Sequence, residues 1–461
     1  MTPTIQPFYS GAYQKTSKTF LIHSAFTQQP MAEVQTCDLL HAVAAIQSAQ
    51  KALSFSADWS LEKRIEVLNL CIERLKKYEM QMAQDESQQQ GLSLNNALNY
   101  SIRAAQSSFV RACDEVKALD AEKQRLSPTG LISIIAPGLL SLRAICERWA
   151  PALAAGNPVV IKASRRSPLS AHWLTQIAQE IGLPSGAINV VYGAGDEVGE
   201  ILCAHPSIKG VTFAGSLRVA EKMIKVSSAQ FKKVQISTTQ KNFAVVLSDA
   251  DLDQAVQEIL RGSLLARGQT PFSIHRVFIV ESVASAFIEK FKNLLAQTNV
   301  TDEVCILTPD QSLQKLQDMA VEAHAKILYA GSGSDSIQDK KFQTLFTMDM
   351  TNCSTIQQDD LQAPLVILTT VKYQHEVQKY ANVGYYGSDA FLFGSREKCE
   401  KVMSQLTARQ YFFNTFEVPV GPVLGFKQSF YGDPNFSVTG RFYSDTKQVQ
   451  NFDTPEVLSK N

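Results

Sequence analysis

This chain predicts an α/β fold, and three observations carry the prediction. Short, wholly apolar runs alternate with amphipathic segments of helical period from Leu131 to about Tyr411. The apolar runs have the length of buried strands, and the segments between them have the roughly 10–15 residues of crossover helices, which together describe βαβ units and a parallel sheet. At 461 residues the chain is also too long for one core, so two or more domains are expected.

The elements follow in order. From Asp38 to Cys113 the period is helical, with Leu39, Leu40, Val43 and Ile46 and then Ile65, Leu68, Cys71 and Leu75 on repeating faces. The Gln- and Ser-rich stretch from Gln81 to Ser93 predicts a long surface helix rather than a linker. Ala118–Gly130, with Lys, Arg, Ser, Pro and Gly, marks a change of element. Strands are expected at Leu131–Ala136, Pro158–Lys162, Ala187–Tyr192, Gly210–Phe213 and Lys233–Ile236. The helices between them are expected at Leu139–Ala155, Ser167–Ile181, Glu197–Ala204 and Ser216–Ser228. A second series runs strand Ala244–Leu247, helix Leu252–Arg267, strand His275–Val280 and helix Val283–Gln297. No short period repeats.

Composition excludes several classes of function. Hydrophobic residues make up 45% and charged residues 19%, as in an ordinary globular protein. Lys+Arg and Asp+Glu are both 44, so no net field draws the chain to nucleic acid or an anionic membrane. The eight cysteines are scattered, without a C-x-x-C pair, so neither a zinc site nor a disulfide framework is expected. Met1–His23 has no apolar core of a signal peptide, and no run reaches the 18 or so apolar residues of a membrane span. A cytoplasmic protein with reduced thiols is the expectation.

Four segments then fall in a telling order. They are Trp149-Ala-Pro-Ala-Leu-Ala-Ala-Gly-Asn157 with Val159-Val-Ile-Lys162, Gly182-Leu-Pro-Ser-Gly-Ala-Ile-Asn-Val-Val191, Val211-Thr-Phe-Ala-Gly-Ser216, and Arg267-Gly-Gln269. Together they resemble the aldehyde dehydrogenase superfamily, over roughly Leu39 to Val449. Within it, Val234–Val246 and Ser429-Phe-Tyr-Gly-Asp433 are similar to the methylmalonate-semialdehyde dehydrogenase branch, whose members acylate coenzyme A. The resemblance implies a Rossmann-like coenzyme domain over 1–117 and 130–236. It further implies a second α/β domain over 237–424, and a bridging and oligomerisation element over 118–129 and 425–461.

By the same resemblance the coenzyme is NAD or NADP. Lys162 ends a strand, where a cation reaches a ribose hydroxyl or phosphate, although a lysine ending a strand is also commonly just solvated. Gly215-Ser216 precedes a helix whose N-terminus suits a pyrophosphate, and Gly193-Ala-Gly195 opens the preceding helix, as a plain turn would too. The position that in the family often holds a ribose-binding acid is Arg165. With Arg166 it points to a 2′-phosphate, or to two solvated arginines. The family's Glu-x-Phe-Gly-Pro run becomes Asp360-Leu-Gln-Ala-Pro364, with Asp360 keeping the charge on a shorter arm.

The positions that carry the family's chemistry are all changed. Pro271 stands where the nucleophilic cysteine belongs, and a proline side chain has no lone pair for a carbonyl. Ser237 replaces the glutamate that activates water, and Leu139 replaces the asparagine of the oxyanion hole. Losing one oxyanion donor costs roughly 10²–10³ in rate, and losing a nucleophile on the order of 10⁶ in a measured triad enzyme. Nearby, Thr270 and Ser273 lack an evident base, while His275 shares a strand face with Ser273, as a satisfied core histidine would or as half of a Ser/His pair. Cys146 falls on a core-facing helix position.

The region Ala118–Gly130 is short for the family's oligomerising hairpin, and the tail shows strand-like alternation at Gly440–Ser444 and Thr446–Val449. A homodimer is expected, and a tetramer stays open. The interdomain cleft is expected to be lined by Lys162, Gly215, Ser216, Ser237, Gly268 and Pro271. Two function classes follow: a degenerate homologue that binds a nucleotide or other small molecule, and a working NAD(P)-dependent oxidoreductase of non-standard mechanism.

Overall fold

The structure, a computed structural model, describes residues 2–121, 127–298, 305, 318–319, 321–322, 324–330, 345–348, 362–387, 389–419, 421–434, 436–438 and 440–444. The polar N-terminus, which gives no strong signal in sequence, forms five short strands: β1 (Thr4–Ile5), β2 (Phe8–Tyr9), β3 (Ala12–Tyr13), β4 (Thr19–His23) and β5 (Pro30–Gln35). β5 lies between β1 and β4 in a small sheet of its own. β2 and β3 form a hairpin whose two-residue turn, Ser10-Gly11, has both φ angles positive, the geometry of the primed turns that match strand twist.

The helical stretch resolves into α1 (Leu39–Lys51), α2 (Leu61–Lys77), α3 (Glu79–Gln90), α4 (Leu94–Asn96), a π turn at Ala97–Ile102, and α5 (Arg103–Ala121). Asp38 and Ser60 cap the first two by accepting from the amides of His41 and Lys63. α3 corrects the expectation of a surface helix. Its Met82, Ala83, Glu86, Ser87, Gln89 and Gln90 are all buried. The amide side chains go inside because each finds hydrogen-bond partners there, which periodicity of apolar residues does not register.

Next come β6 (Ile132–Ile135), α6 (Ser141–Ala155), β7 (Val159–Lys162), α7 (Pro168–Glu180), β8 (Ile188–Val191), α8 (Glu200–Ala204), β9 (Gly210–Ala214), α9 (Leu217–Ser228) and β10 (Lys233–Ser237). The second series holds β11 (Asn242–Val246), α10 (Leu252–Leu264), β12 (Ile274–Val280), α11 (Glu281–Gln297), β13 (Lys326–Ala330), β14 (Leu345–Met348) and β15 (Leu365–Val371). It continues through α12 (Val377–Ala381), β16 (Tyr386–Gly387), β17 (Asp389–Phe393), α13 (Arg396–Met403), β18 (Gln410–Phe413), β19 (Phe426–Lys427) and β20 (Phe430–Gly432).

The fold is α/β as expected. β10-β9-β6-β7-β8 pair in parallel, with antiparallel β20 added beside β10 and the β2–β3 hairpin beside β8. A second sheet runs β13-β14-β15-β12-β11-β17-β18, parallel except for β13. β6, β7, β8, β11 and β12 are buried along their whole length, which is why they read as unbroken apolar runs.

Two boundaries depart from expectation. α10 ends at Leu264, because Ala266, Arg267 and Gly268 all have positive φ (48°, 56° and 72°) and turn the chain left-handed. Gly440–Ser444 is a turn ending in one bridge, Ser444 to Pro128, and not a strand; its Phe442 and Tyr443 are buried as anchors instead. Thr446–Val449 and the centre of Ala118–Gly130 lie outside the described residues.

Candidate functional site

A cavity of about 1260 Å³ opens where the loops following β6, β7, β9 and β10 meet the loops preceding β12, β15 and β17. The first group are the carboxyl ends of parallel strands, where ligands bind in open α/β sheets. The cavity brings Leu139, Arg165, Gly215, Ser216, Ser237 and Pro271 together on one wall system. Its lining does not include Lys162, Gly193 or Gly268, so two residues of the expected lining, Lys162 and Gly268, are not part of it. Asp360 lies outside the described residues.

Part of the lining carries charge, three arginines and the acid Glu221. Arg165 and Arg166 are exposed on the loop after β7, and Arg218 is exposed in the first turn of α9. The Arg165 guanidinium stacks 4.8 Å from the ring centre of Phe20, which the N-terminal β4 supplies. Gly215 crosses close over the ring of Phe213: a Cβ there would meet that ring at 2.5 Å. Its amide donates to the Ser237 carbonyl (3.1 Å), fixing the entry to α9 with Ser216 as N-cap. A helix start, a close-running glycine and three arginines are a donor set that fits a diphosphate.

Lys162 is 8% exposed, and its Nζ donates to the Ala163 carbonyl (3.3 Å). Burial, aided by Arg165 and opposed by Asp196, brings its pKa down to about 8. Gly193 is buried, and a Cβ there would meet Val198 at 2.6 Å and the Cys37 carbonyl oxygen at 3.1 Å. Gly268 has φ +72°, and a Cβ there would sit 2.2 Å from the Ala363 carbonyl oxygen.

Leu139, Ser237 and Pro271, the positions where altered chemistry was expected, line the same cavity. Ser237 is engaged in both directions, accepting from Arg148 Nη2 (3.2 Å) and donating to the Val423 carbonyl (2.9 Å). Arg148 also donates to Thr212 and to the Ala144 carbonyl. Arg143 pairs with Glu147 (2.7 Å), donates to the carbonyls of Pro419 and Gly421, and lies 4.6 Å from the ring centre of Phe272. Pro271 has no N–H to offer, and its carbonyl accepts from Asn242 Nδ2 (2.9 Å).

The Ser273 and His275 pairing does not form. The Ser273 hydroxyl meets Thr270 (2.8 Å), and His275 Nε2 meets the Gly268 carbonyl (2.8 Å). Full burial pulls the imidazole pKa down to about 3, so His275 is a neutral core residue. Cys146 is fully buried with its thiol pushed well up, as a core cysteine is.

Sequence reasoning missed several lining residues: Gln89, Gln90, Arg143, Glu147, Arg148 and Cys305. Three charges inside the otherwise apolar segment Leu139–Ala155 were the available signal for the ion cluster. Nothing local marks Cys305, which reaches the wall from a distant part of the chain and is 2% exposed. Its carbonyl accepts from Arg267 (3.2 Å). Among the described residues no cluster of His, Cys, Asp and Glu could hold a metal, and no helix is long and apolar enough to cross a membrane.

Comparison with known proteins gives a consistent picture. The sequence model of the aldehyde dehydrogenase family matches residues 13–449. Among relatives, 2-aminomuconic semialdehyde dehydrogenase of Homo sapiens is 25% identical over 438 residues, covering 88% of this chain and 89% of the relative. Malonate-semialdehyde dehydrogenase of Listeria monocytogenes is 30% identical over 337 residues, covering 70% and 69%. Among solved structures, an aldehyde dehydrogenase from Bartonella henselae superposes with a TM-score of 0.86 at 22% identity, over 95% of this chain and 98% of that one. A betaine aldehyde dehydrogenase from Staphylococcus aureus, solved in complex with NAD+, gives 0.85 at 21% identity over 93% and 90%.

Proposed function

The chain belongs to the aldehyde dehydrogenase family, and from that premise we propose that it is a non-catalytic member that binds a nicotinamide dinucleotide. The observation that carries this reading is the meeting of Leu139, Ser237 and Pro271 in one cavity, with the Ser237 hydroxyl already held by Arg148 and Val423. None of the three supplies a nucleophile, a base or an oxyanion donor at the place where the family works. Three independent repairs would be needed at one centre.

The arginines and the helix start in the same lining support retained coenzyme binding. The start of α9, Gly215, Arg165, Arg166 and Arg218 would hold the phosphates, with Lys162 behind them, and the bound coenzyme would offer a hydride acceptor. The arginines favour NADP over NAD, because a 2′-phosphate gives them a further charged acceptor. The relative solved with NAD+ belongs to the same fold. A cytoplasmic homodimer built mainly through helices, and the domain limits near residues 236 and 424, are part of the same proposal.

The test is calorimetric titration of the protein with NAD+ and NADP+, alongside Lys162→Ala, followed by an aldehyde screen. Saturable coenzyme binding, weakened in Lys162→Ala, with no aldehyde turnover is the expected result. No binding at millimolar coenzyme would overturn the binding half. Turnover comparable to a working relative would overturn the other.

One observation favours a second reading. Cys305 lines the same cavity as Pro271, and a thiol there is the residue type that adds to an aldehyde carbonyl. An active oxidoreductase using Cys305 predicts turnover that Cys305→Ala abolishes and iodoacetamide blocks.

A further inference from the structure

We propose that the end of the cavity around Leu139 and Pro271 receives an uncharged, apolar group of a ligand and holds it without a covalent bond; this rests on the non-catalytic reading above. The wall there is made by Leu139, Leu140, Ala144, Pro271, Phe272 and Val423. An apolar wall alone says little, since polar groups behind it commonly provide the specificity of a pocket. Here those groups are already engaged with one another.

The backbone start of α6 is the first of them. In an unfilled helix terminus its amides would face the cavity and attract an anion. Instead the Leu140 amide donates to Gln90 Oε1 (2.8 Å), and Gln90 Nε2 donates to Glu86 (2.6 Å). Glu86 is 1% exposed and accepts from Ser101 (2.9 Å) and Ser170 as well. Glu86 on α3, whose pKa burial raises, thus anchors Gln90 and through it the start of α6 from inside the protein.

The guanidinium groups are the second. Glu147 lies 2.7 Å from Arg143 and 3.8 Å from Arg148, and carbonyls of Pro419, Gly421 and Ala144 accept from the two arginines. Ser237 is filled in both directions, and the Phe272 amide donates to Thr270 (3.3 Å). An incoming carboxylate or phosphate would have to break these bonds and lose its own hydration, with little to replace either. An apolar group needs only to displace water from leucine, proline and phenylalanine. Arg165 and Arg218, exposed on the loop after β7 and in the first turn of α9, offer the anionic part of a ligand its charge partners elsewhere in the lining. The malonate-semialdehyde relatives are named for a substrate whose carboxylate lies one methylene from its aldehyde carbon, and this chamber is built against such a group.

A matched pair of probes tests this: 1-octanol and octanoate, titrated calorimetrically into the full-length protein with and without saturating NAD+ or NADP+. Neither alcohol nor carboxylate carries an aldehyde, so binding reports only non-covalent fit. Octanol is expected to bind saturably and about tenfold or more tighter than octanoate. Leu139→Trp, which fills the chamber, should lose octanol by a similar factor. Leu139→Asn, a smaller change that guards against misfolding of the first variant, should lose part of it. Unaltered melting temperatures establish that both variants are folded. Octanoate binding as tightly as octanol, absence of octanol binding, or octanol binding unchanged in both variants would overturn the proposal. Octanol binding without coenzyme binding would instead retire the coenzyme reading and leave this one standing.

Discussion

Arg148 Nη2 donates to the Ser237 hydroxyl across 3.2 Å, joining the middle of α6 to the last residue of β10. Ser237, which the resemblance aligns with the family's glutamate, is therefore part of a buried structural network, because it hands its own proton to the Val423 carbonyl (2.9 Å). Ser237→Ala leaves one Arg148 donor and one carbonyl without their hydroxyl partner, and is expected to lower stability by about 1–2 kcal/mol. Arg148→Ala removes the guanidinium beside Glu147 and is expected to cost more, about 3–5 kcal/mol, since it breaks a buried ion cluster from one side. Denaturant midpoints of the two variants check the order. Equal effects would mean that the arginine is not held by this network.

On the proposed reading, Pro271→Cys puts a thiol at the expected nucleophile position without supplying its surroundings. Leu139 still offers no donor and Ser237 no base, so the variant is expected to alkylate with iodoacetamide faster than the parent yet show no steady-state aldehyde oxidation. A triple variant, Pro271→Cys with Leu139→Asn and Ser237→Glu, places a carboxylate next to Arg148 and is the one expected to regain measurable turnover. Turnover in the single Pro271→Cys variant would show that the cavity had kept a competent environment.

How much of this was legible in sequence depends on the range of the contacts. The parallel strands β6, β7, β8, β11 and β12 were readable because both faces of each are buried, which leaves unbroken apolar runs. The meeting of Leu139, Ser237 and Pro271 was readable only through resemblance, since their chain separation hides it from any periodicity. α3 was misjudged because Glu86, Gln89 and Gln90 look solvated in a helix and are in fact paired with Ser170, Ser101 and the Leu140 amide. Lys162 was expected in the cleft wall, and its burial behind Arg165 follows from side-chain packing that sequence does not encode locally.

Gly268 and Gly182 form a paired test of why the loop before Pro271 is built as it is. Both have positive φ, +72° and +69°. At Gly182 an added Cβ meets nothing within 4 Å, so alanine there is expected to cost only the left-handed backbone, about 1–2 kcal/mol. At Gly268 the Cβ meets the Ala363 carbonyl oxygen at 2.2 Å, and this backbone atom cannot swing aside as a side chain would. Gly268→Ala is therefore expected to exceed Gly182→Ala by about 1–3 kcal/mol of stability and to weaken whatever the cavity binds. Similar denaturation midpoints for both would show that the loop moves freely against residue 363.

Lys162 links stability and ligand binding to pH with opposite signs. Its pKa in the folded protein is brought down to about 8 by burial, against about 10.4 in an unfolded chain. Between those values the unfolded chain carries the extra proton, so stability attributable to this group rises with pH across the window and is lowest below pH 8, where the folded protein must bury the charge. A phosphate-bearing ligand needs that charge, so coenzyme affinity is expected to fall as pH climbs through about 8. Lys232, also brought down to about 8, adds a similar stability slope from a site outside the cavity. Lys162→Met should remove its share of the stability rise and flatten the pH dependence of coenzyme binding. Lys232→Met should remove only a stability share and leave the binding profile as it was. Stability curves and titrations between pH 7 and 10.5 separate the two lysines. A binding profile unchanged in Lys162→Met would place this lysine outside the ligand's reach.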